Sequence, residues 1–496
     1  MHPHESLLLS IDQGTTSTRA ILFRASGEVL GIAQKEIQLQ SPEPGMVLQD
    51  PLEILQSVRD TLRMVLHQTQ TRASDIAAIG ITNQRETTVV WDAEGRPVYP
   101  AIVWQSRQSA DIVREWVEDK GAAWFHERTG LWPDAYFSSG KIAWMMRHVD
   151  GVAAKAMKGQ LRFGTIDSWI LWNLGREKFH RTDATNASRT MLYHLEKGDW
   201  DEELLHYCGI PNSMLPEIVD SNGDFGHLDP SILGHPIPIR GVAGDQQAAL
   251  IGQGCIYKGQ AKNTYGTGCF LLLNTGNAPV WSQHGLLSTV AWSLNGTRTF
   301  ALEGSVFMAG ALIQWLRDGL RILPTSHDSE RLARECDTSE GVVIVPAFTG
   351  LGAPHWNPHA RGTILGLTRG SGIPQICRAA LEAIALQNED LMQAMHDDLG
   401  SRPQLLRVDG GASQNTLLMQ LQADICGIPL EKPVNSECTA WGAAVLAGLG
   451  VGVYSSPEDA ASRYRIERRY LPQNVDVRQM KWRWTQALKA VSQFEV

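Results

Sequence analysis

The sequence predicts an α/β protein built as two lobes of similar design. Three observations predict it. A strand–polar turn–strand unit opens the chain, and a unit of the same kind returns near residue 260. Segments of helical periodicity lie between the strand-like runs, which is the mixture that α/β or α+β layers require. The 496 residues allow two to four domains at roughly 100–200 residues each.

Leu7-Leu8-Leu9-Ser10-Ile11 is an apolar run of buried-strand length. Residues 12–17 form a small polar turn, Arg19-Ala20-Ile21-Leu22-Phe23 resumes as a strand, Ser26-Gly27 turns, and residues 29–37 continue extended. The second unit runs from 260–264 through Gly266-Thr267-Gly268 into the apolar Cys269-Phe270-Leu271-Leu272-Leu273, turns at residues 275–277 and reads as strand again over 287–292. A boundary at 252–258 follows, giving a first lobe of residues 1–253 and a second of 254–496. The spacing predicts a helix over 374–396, with Cys377, Ala380, Leu381, Ile384, Ala385, Leu391, Met392 and Met395 on its apolar face and Pro374 in its first turn. Residues 463–496 read as an amphipathic C-terminal helix on the second lobe.

Composition narrows the partners. Hydrophobic residues make up 43% and charged residues 20%, the ordinary balance of a globular chain. A net charge of −9 gives no general attraction to nucleic acid or anionic membrane. The seven cysteines contain no Cys-x-x-Cys pair, which reads as free thiols in a reducing compartment. Residues 1–6 are polar and lead into no long apolar segment, so no secretory signal is expected. The longest apolar stretch, 439–454, is broken by four glycines and falls short of the roughly 20 residues of a membrane span. The expectation is a cytoplasmic protein with no membrane insertion and no nucleic-acid partner.

Five segments can carry chemistry. In Asp12-Gln13-Gly14-Thr15-Thr16-Ser17 with Arg19, backbone amides and hydroxyls can cradle phosphate, and an aspartate at a strand end can hold magnesium. The same residues also make a plain β-turn. Tyr265-Gly266-Thr267-Gly268 offers the same two readings. Asp409-Gly410-Gly411-Ala412-Ser413-Gln414-Asn415 follows an apolar strand and can lie flat against a base or ribose. Asp245, after Gly241-Val242-Ala243-Gly244, can take a proton from an attacking hydroxyl or can simply cap a helix. In residues 82–88, Arg85 and Glu86 can hydrogen-bond the vicinal hydroxyls of a polyol, or form an exposed salt-bridged loop. Trp104 and Tyr136 can wall such a pocket or pack in a core. Neither Gly-x-x-x-x-Gly-Lys-Ser/Thr nor Gly-x-Gly-x-x-Gly before a helix occurs, which argues against P-loop and Rossmann nucleotide sites.

These segments resemble the FGGY carbohydrate kinases. The likeness is carried by Asp-Gln-Gly-Thr-Thr-Ser-Thr-Arg from residue 12, and by residues 81–88, 244–247, 261–270, 346–354 and 408–411. Tyr136–Trp144 and Gly362–Glu382 resemble the family signatures, and the match runs from about Leu8 to about Gly452. The resemblance implies two ribonuclease-H-like lobes of the actin/hexokinase ATPase type, with the active site in the cleft between them. It implies ATP-dependent phosphorylation of glycerol to sn-glycerol 3-phosphate, serving glycerol catabolism and lipid precursor supply, with Mg²⁺ as cofactor. Glycerol would be held by Arg85, Glu86, Tyr136, Asp245 and Gln246, with Trp104 and Phe270 against its carbons. ATP would meet Thr15, Thr16, Ser17 and Arg19 from the first lobe, and Thr267, Gly310, Gln314, Gly411 and Asn415 from the second. Asp12 would hold magnesium, Asp245 would be the general base, and the chain would assemble as a homodimer or homotetramer. His355, His359 and Trp441 depart from the family pattern and put local packing in question. Residues 227–239 lack the glycine-rich loop tied to fructose-1,6-bisphosphate inhibition, so that regulation is not expected. Two rivals remain: another sugar or polyol kinase of the family, and an actin-like switch ATPase, for which Arg85, Glu86 and Gln246 would have no task.

Overall fold

The computed structural model describes residues 6–357 and 359–494. Most of the polar segment 1–6, and the last two residues of the expected C-terminal helix, lie outside them. Strands Leu7–Gln13, Ser17–Arg24 and Val29–Glu36 form an antiparallel meander. Their alternating and continuous apolar runs bury Leu8, Leu9, Ile11, Ile21 and Leu22 completely or nearly so. Ile76–Asn83 pairs parallel to the first strand, and Ile239–Gly244 pairs parallel to Ile76–Asn83. In chain order the five strands therefore lie 5-4-1-2-3.

The second sheet has seven strands and repeats this plan. Ala261–Tyr265 and Cys269–Gly276 form its central hairpin, and Thr297–Val306 adds antiparallel beside them, with Leu287–Leu294 on the edge. Leu406–Asp409 and Leu430–Pro433 extend the other side in parallel. These are two ribonuclease-H-like lobes, each with a hairpin at its centre. Helix Ile373–Leu399 covers the second sheet, close to the span predicted from its periodicity.

The C-terminal region differs from its sequence reading. Ile466–Tyr470 is an edge strand paired with Leu430–Pro433, and only Arg478–Ser492 is helical. Edge pairing satisfies the backbone of a segment whose side chains are mostly exposed, and that alternative has no 3.6-residue signature.

Helices Asp245–Gly252 and Cys438–Gly450 lie between the sheets. They cross at glycines: a Cβ on Gly442 would fall 1.8 Å from the Ala248 carbonyl oxygen, and one on Gly252 would fall 2.0 Å from that of Cys438. The core around them mixes both lobes, with Leu8, Phe23 and Ala243 packed against Leu272, Trp292 and Trp441. Trp441 is accommodated by Phe23, 5.3 Å away between ring centres, and by Tyr454. His355 Nε2 is 3.2 Å from Asp390 Oδ2, and His359 stays on the surface beside Asn357. No helix among the described residues is long and apolar enough to cross a membrane.

Candidate active site

Both hairpins end in turns rich in glycine and hydroxyl side chains. In the first, the Gly14 amide donates to the Ser17 carbonyl at 2.9 Å and closes the loop. The register sets Asp12 opposite Arg19, and Arg19 Nη2 donates to Asp12 Oδ2 at 2.5 Å. Arg19 Nη1 reaches Glu437, at the start of helix Cys438–Gly450, at 2.6 Å. Thr16 is exposed, while Thr15 and Ser17 are half-buried.

In the second hairpin the Gly266 amide donates to the Gly268 carbonyl at 2.9 Å, and Gly310 donates back to Gly266 at 3.0 Å. A side chain at residue 310 would meet the Gly266 carbonyl at 2.6 Å, so glycine is what lets the helix starting there dock on the turn. Thr267, Gly310, Gln314, Gly411 and Asn415 all line one cavity of about 300 Å³, completed by Leu381 and Leu418. The five second-lobe residues expected at ATP are therefore brought together. Asn415 also caps helix Thr416–Cys426, accepting from Leu418 N at 2.9 Å.

The polyol candidates form a connected cluster. Arg85 and Glu86 are 3% and 1% exposed, which removes the exposed-loop reading. Arg85 Nε lies 3.2 Å from Asp245 Oδ1. Trp104 and Tyr136 meet edge to face at 5.7 Å, and Trp104 Nε1 donates to Thr15 Oγ1 at 2.9 Å, joining this wall to the first hairpin. Lys141 Nζ donates to the carbonyls of Tyr136 and Phe137 and fixes the wall from behind. Phe270 is the second residue of strand Cys269–Gly276, and its carbonyl accepts from Lys262 at 3.2 Å. Lys262 also donates to the Gln246 side chain and to Thr264 Oγ1.

Asp245 is not the helix cap. Gly244 holds that position, and Asp245 is the first helical residue, its Oδ1 accepting from the Gln246 amide at 2.7 Å. Burial raises the Asp245 pKa above the usual carboxylate value, against the pull of Arg85 and Lys262. Burial likewise lowers Lys262 to about 8, opposed by Asp409 and Asp245. The arrangement sets a partly exposed carboxylate, able to take a proton, beside a fixed guanidinium.

The family models for FGGY carbohydrate kinases match this chain twice, the N-terminal domain over residues 7–252 and the C-terminal domain over 261–451. The chain belongs to the FGGY family of carbohydrate kinases. A glycerol kinase of Brevibacillus brevis is 50% identical over 492 residues, 99% of this chain and 99% of that one. A glycerol kinase of Aromatoleum aromaticum is 53% identical over 468 residues, 94% of each chain. The crystal structure of Plasmodium falciparum glycerol kinase with ADP superposes with a TM-score of 0.91 at 34% identity, covering 98% of both chains. A xylulose kinase of Lactobacillus acidophilus, TM-score 0.89 at 21% identity, shares the fold.

Three charged residues of this FGGY kinase escape the sequence reading: Arg189, Lys262 and Glu303. Arg189 and Glu303 are completely buried against Arg85 and Glu86, and Lys262 is completely buried beside Gln246. One signal was available for Glu303, a lone acid directly after the apolar run Phe300-Ala301-Leu302. Burial alone pushes the Glu303 pKa up, but Arg189 and Arg85 bring it down to about 2.

Proposed function

We propose that this chain transfers the terminal phosphoryl group of ATP to glycerol, giving sn-glycerol 3-phosphate and ADP. The observation that carries the reading is Asp245, held beside Arg85 in a polyol-sized polar cluster whose Trp104 is hydrogen-bonded to Thr15 of the first hairpin turn. Identity of about half over nearly the full length of glycerol kinases supports the substrate.

Arg85 and Glu86 hydrogen-bond the hydroxyls of glycerol, and Trp104, Tyr136 and Phe270 cover its carbons. Gln246, fixed by Lys262, orients the pocket from the side of Asp245. The attacking hydroxyl gives its proton to the Asp245 carboxylate as its oxygen bonds to the γ-phosphorus, and the bond to the ADP oxygen breaks. Thr15, Thr16, Ser17 and Arg19 hold the phosphates from the first lobe, Thr267 holds them from the second, and the cavity at Gly310, Gln314, Gly411 and Asn415 takes the rest of the nucleotide. Closing the lobes excludes water, the competing acceptor, and aligns the reacting atoms.

Among the described residues no cluster of three or more His, Cys, Asp or Glu side chains could hold a metal. Magnesium bound through one or two carboxylates plus water and phosphate needs no such cluster. Asp12 fits that mode: it is the last residue but one of strand Leu7–Gln13, next to the first hairpin turn, and its charge reaches Asp245. Held there, the ion would neutralise charge on the phosphates.

All seven cysteines are free, which suits reaction in the cytoplasm. Assembly as a homodimer or homotetramer belongs to the same reading and is tested by the mass in solution. The deciding experiment measures ATP-to-ADP conversion with and without glycerol, against a panel of pentuloses, gluconate and erythritol. Glycerol-stimulated turnover is expected. Preference for a longer sugar, or hydrolysis independent of glycerol, overturns the reading.

A further inference from the structure

A ring of four buried charges ties the polyol cluster to the second sheet. Glu303, on strand Thr297–Val306, accepts from both terminal nitrogens of Arg85, with Nη2 at 2.8 Å. It also accepts from Arg189 Nη2 at 3.1 Å. Arg189 Nε donates to Glu86 Oε1 at 2.6 Å, and that oxygen lies 3.9 Å from Arg85 Nε. No member of the ring is more than 3% exposed. Arg85 and Glu86 follow strand Ile76–Asn83 and Arg189 follows helix Ala184–Ala187, so Glu303 alone comes from the second sheet.

The division of donors matters. An arginine offers a rigid fork of five N–H groups. Glu303 and Gln247, whose Oε1 accepts from Arg85 Nη1 at 3.2 Å, engage the terminal nitrogens. The Nε edge is left toward Asp245 and Glu86. Without the Glu303 charge, two buried guanidinium groups would compete for the remaining carboxylates, and the Arg85 fork would turn onto the groups meant for substrate. Glu86 is itself held in a left-handed backbone conformation, φ 60°, uncommon outside glycine. Its carbonyl accepts from Ser138 Oγ and Thr88 Oγ1, and its carboxylate is fixed by Arg189.

We propose that Glu303 and Arg189 are positioning residues for the polyol: Glu303 holds Arg85 directly and Glu86 through Arg189, so the pocket of the first lobe takes its binding geometry only while docked on the sheet of the second. The proposal rests on the polyol kinase reading above. It makes substrate affinity a property of the lobe junction, with neither residue touching the substrate.

The test compares wild type, Glu303→Gln and Arg189→Lys. Glycerol is varied at saturating ATP, ATP is varied at saturating glycerol, and thermal unfolding is followed for each protein. Glu303→Gln keeps the shape and removes the charge. The expected result is a rise in KM for glycerol of about 10²-fold, the scale of a misplacement near 1 Å. KM for ATP should stay within about threefold. A folded Glu303→Gln protein whose KM for glycerol stays within about threefold of wild type, or whose two KM values rise together, overturns the proposal. Should Glu303→Gln fail to fold, Arg189→Lys is scored by the same ratio, since it keeps the buried charge and loses only the fork that joins Glu86 to Glu303. Wild type turning over a different polyol would refute the glycerol reading, and the same KM comparison would then be made with that polyol.

Discussion

Asp245 can accept a proton only while ionised, and its surroundings decide when that is so. Burial raises its pKa, and Arg85 and Lys262 oppose the rise. The ionised base is fully present at high pH and is lost as pH falls through this raised value, so the acid limb of kcat/KM lies above the ordinary aspartate range. Lys262→Met removes one opposing cation and moves that limb to higher pH, which a pH–rate profile of both proteins checks. Asp245→Asn removes the base, and kcat falls by about 10²- to 10⁴-fold, while calorimetry finds nucleotide binding unchanged. The Glu303 pKa is shifted in the opposite direction. Its folded pKa of about 2 lies below the ordinary 4.5, so its contribution to stability is complete above 4.5 and is lost as pH falls toward 2. Acid unfolding curves of wild type and Glu303→Gln should therefore converge over that window.

The element that matters most between the lobes is the helix pair Asp245–Gly252 and Cys438–Gly450. Its first member carries Asp245, the proposed base, and its second begins beside Glu437, the partner of Arg19. The backbones approach so closely that Gly442 and Gly252 leave no room for a Cβ. Gly442→Ala forces the helices apart and destabilises by about 1–3 kcal/mol, the usual penalty of overpacking, readable in urea unfolding. It should also lower kcat, because Asp245 rides on the displaced helix. Trp441 fills the space between Phe23 and Tyr454, so the aromatic side chain that departs from the family pattern is a packed core residue.

At the scale of the whole molecule, the two lobes repeat one strand order and share a mixed core. Ligands that bind both lobes should favour the closed arrangement. Glycerol together with a non-hydrolysable ATP analogue, each at about a hundredfold its Kd, should stabilise the protein by about 2.7 kcal/mol or more and reduce its radius of gyration. Thermal unfolding and small-angle scattering measure the two effects. The sequence by itself determined the twin hairpins, helix Ile373–Leu399, the family and the residues at the ends of strands, because alternation, 3.6-residue periodicity and glycine-rich turns are local and leave a local trace. It did not determine that Ile466–Tyr470 is an edge strand, since pairing with Leu430–Pro433 depends on a partner distant in sequence. It left Asp245 open between base and cap, and the position of the helix start at Gly244 decided against the cap. The tertiary structure alone brought Glu303 to Arg85 across 218 residues of chain and Arg189 to Glu86 across 103. A buried ion pair is specified by where two strands or loops meet in space, and no short window of sequence encodes that meeting.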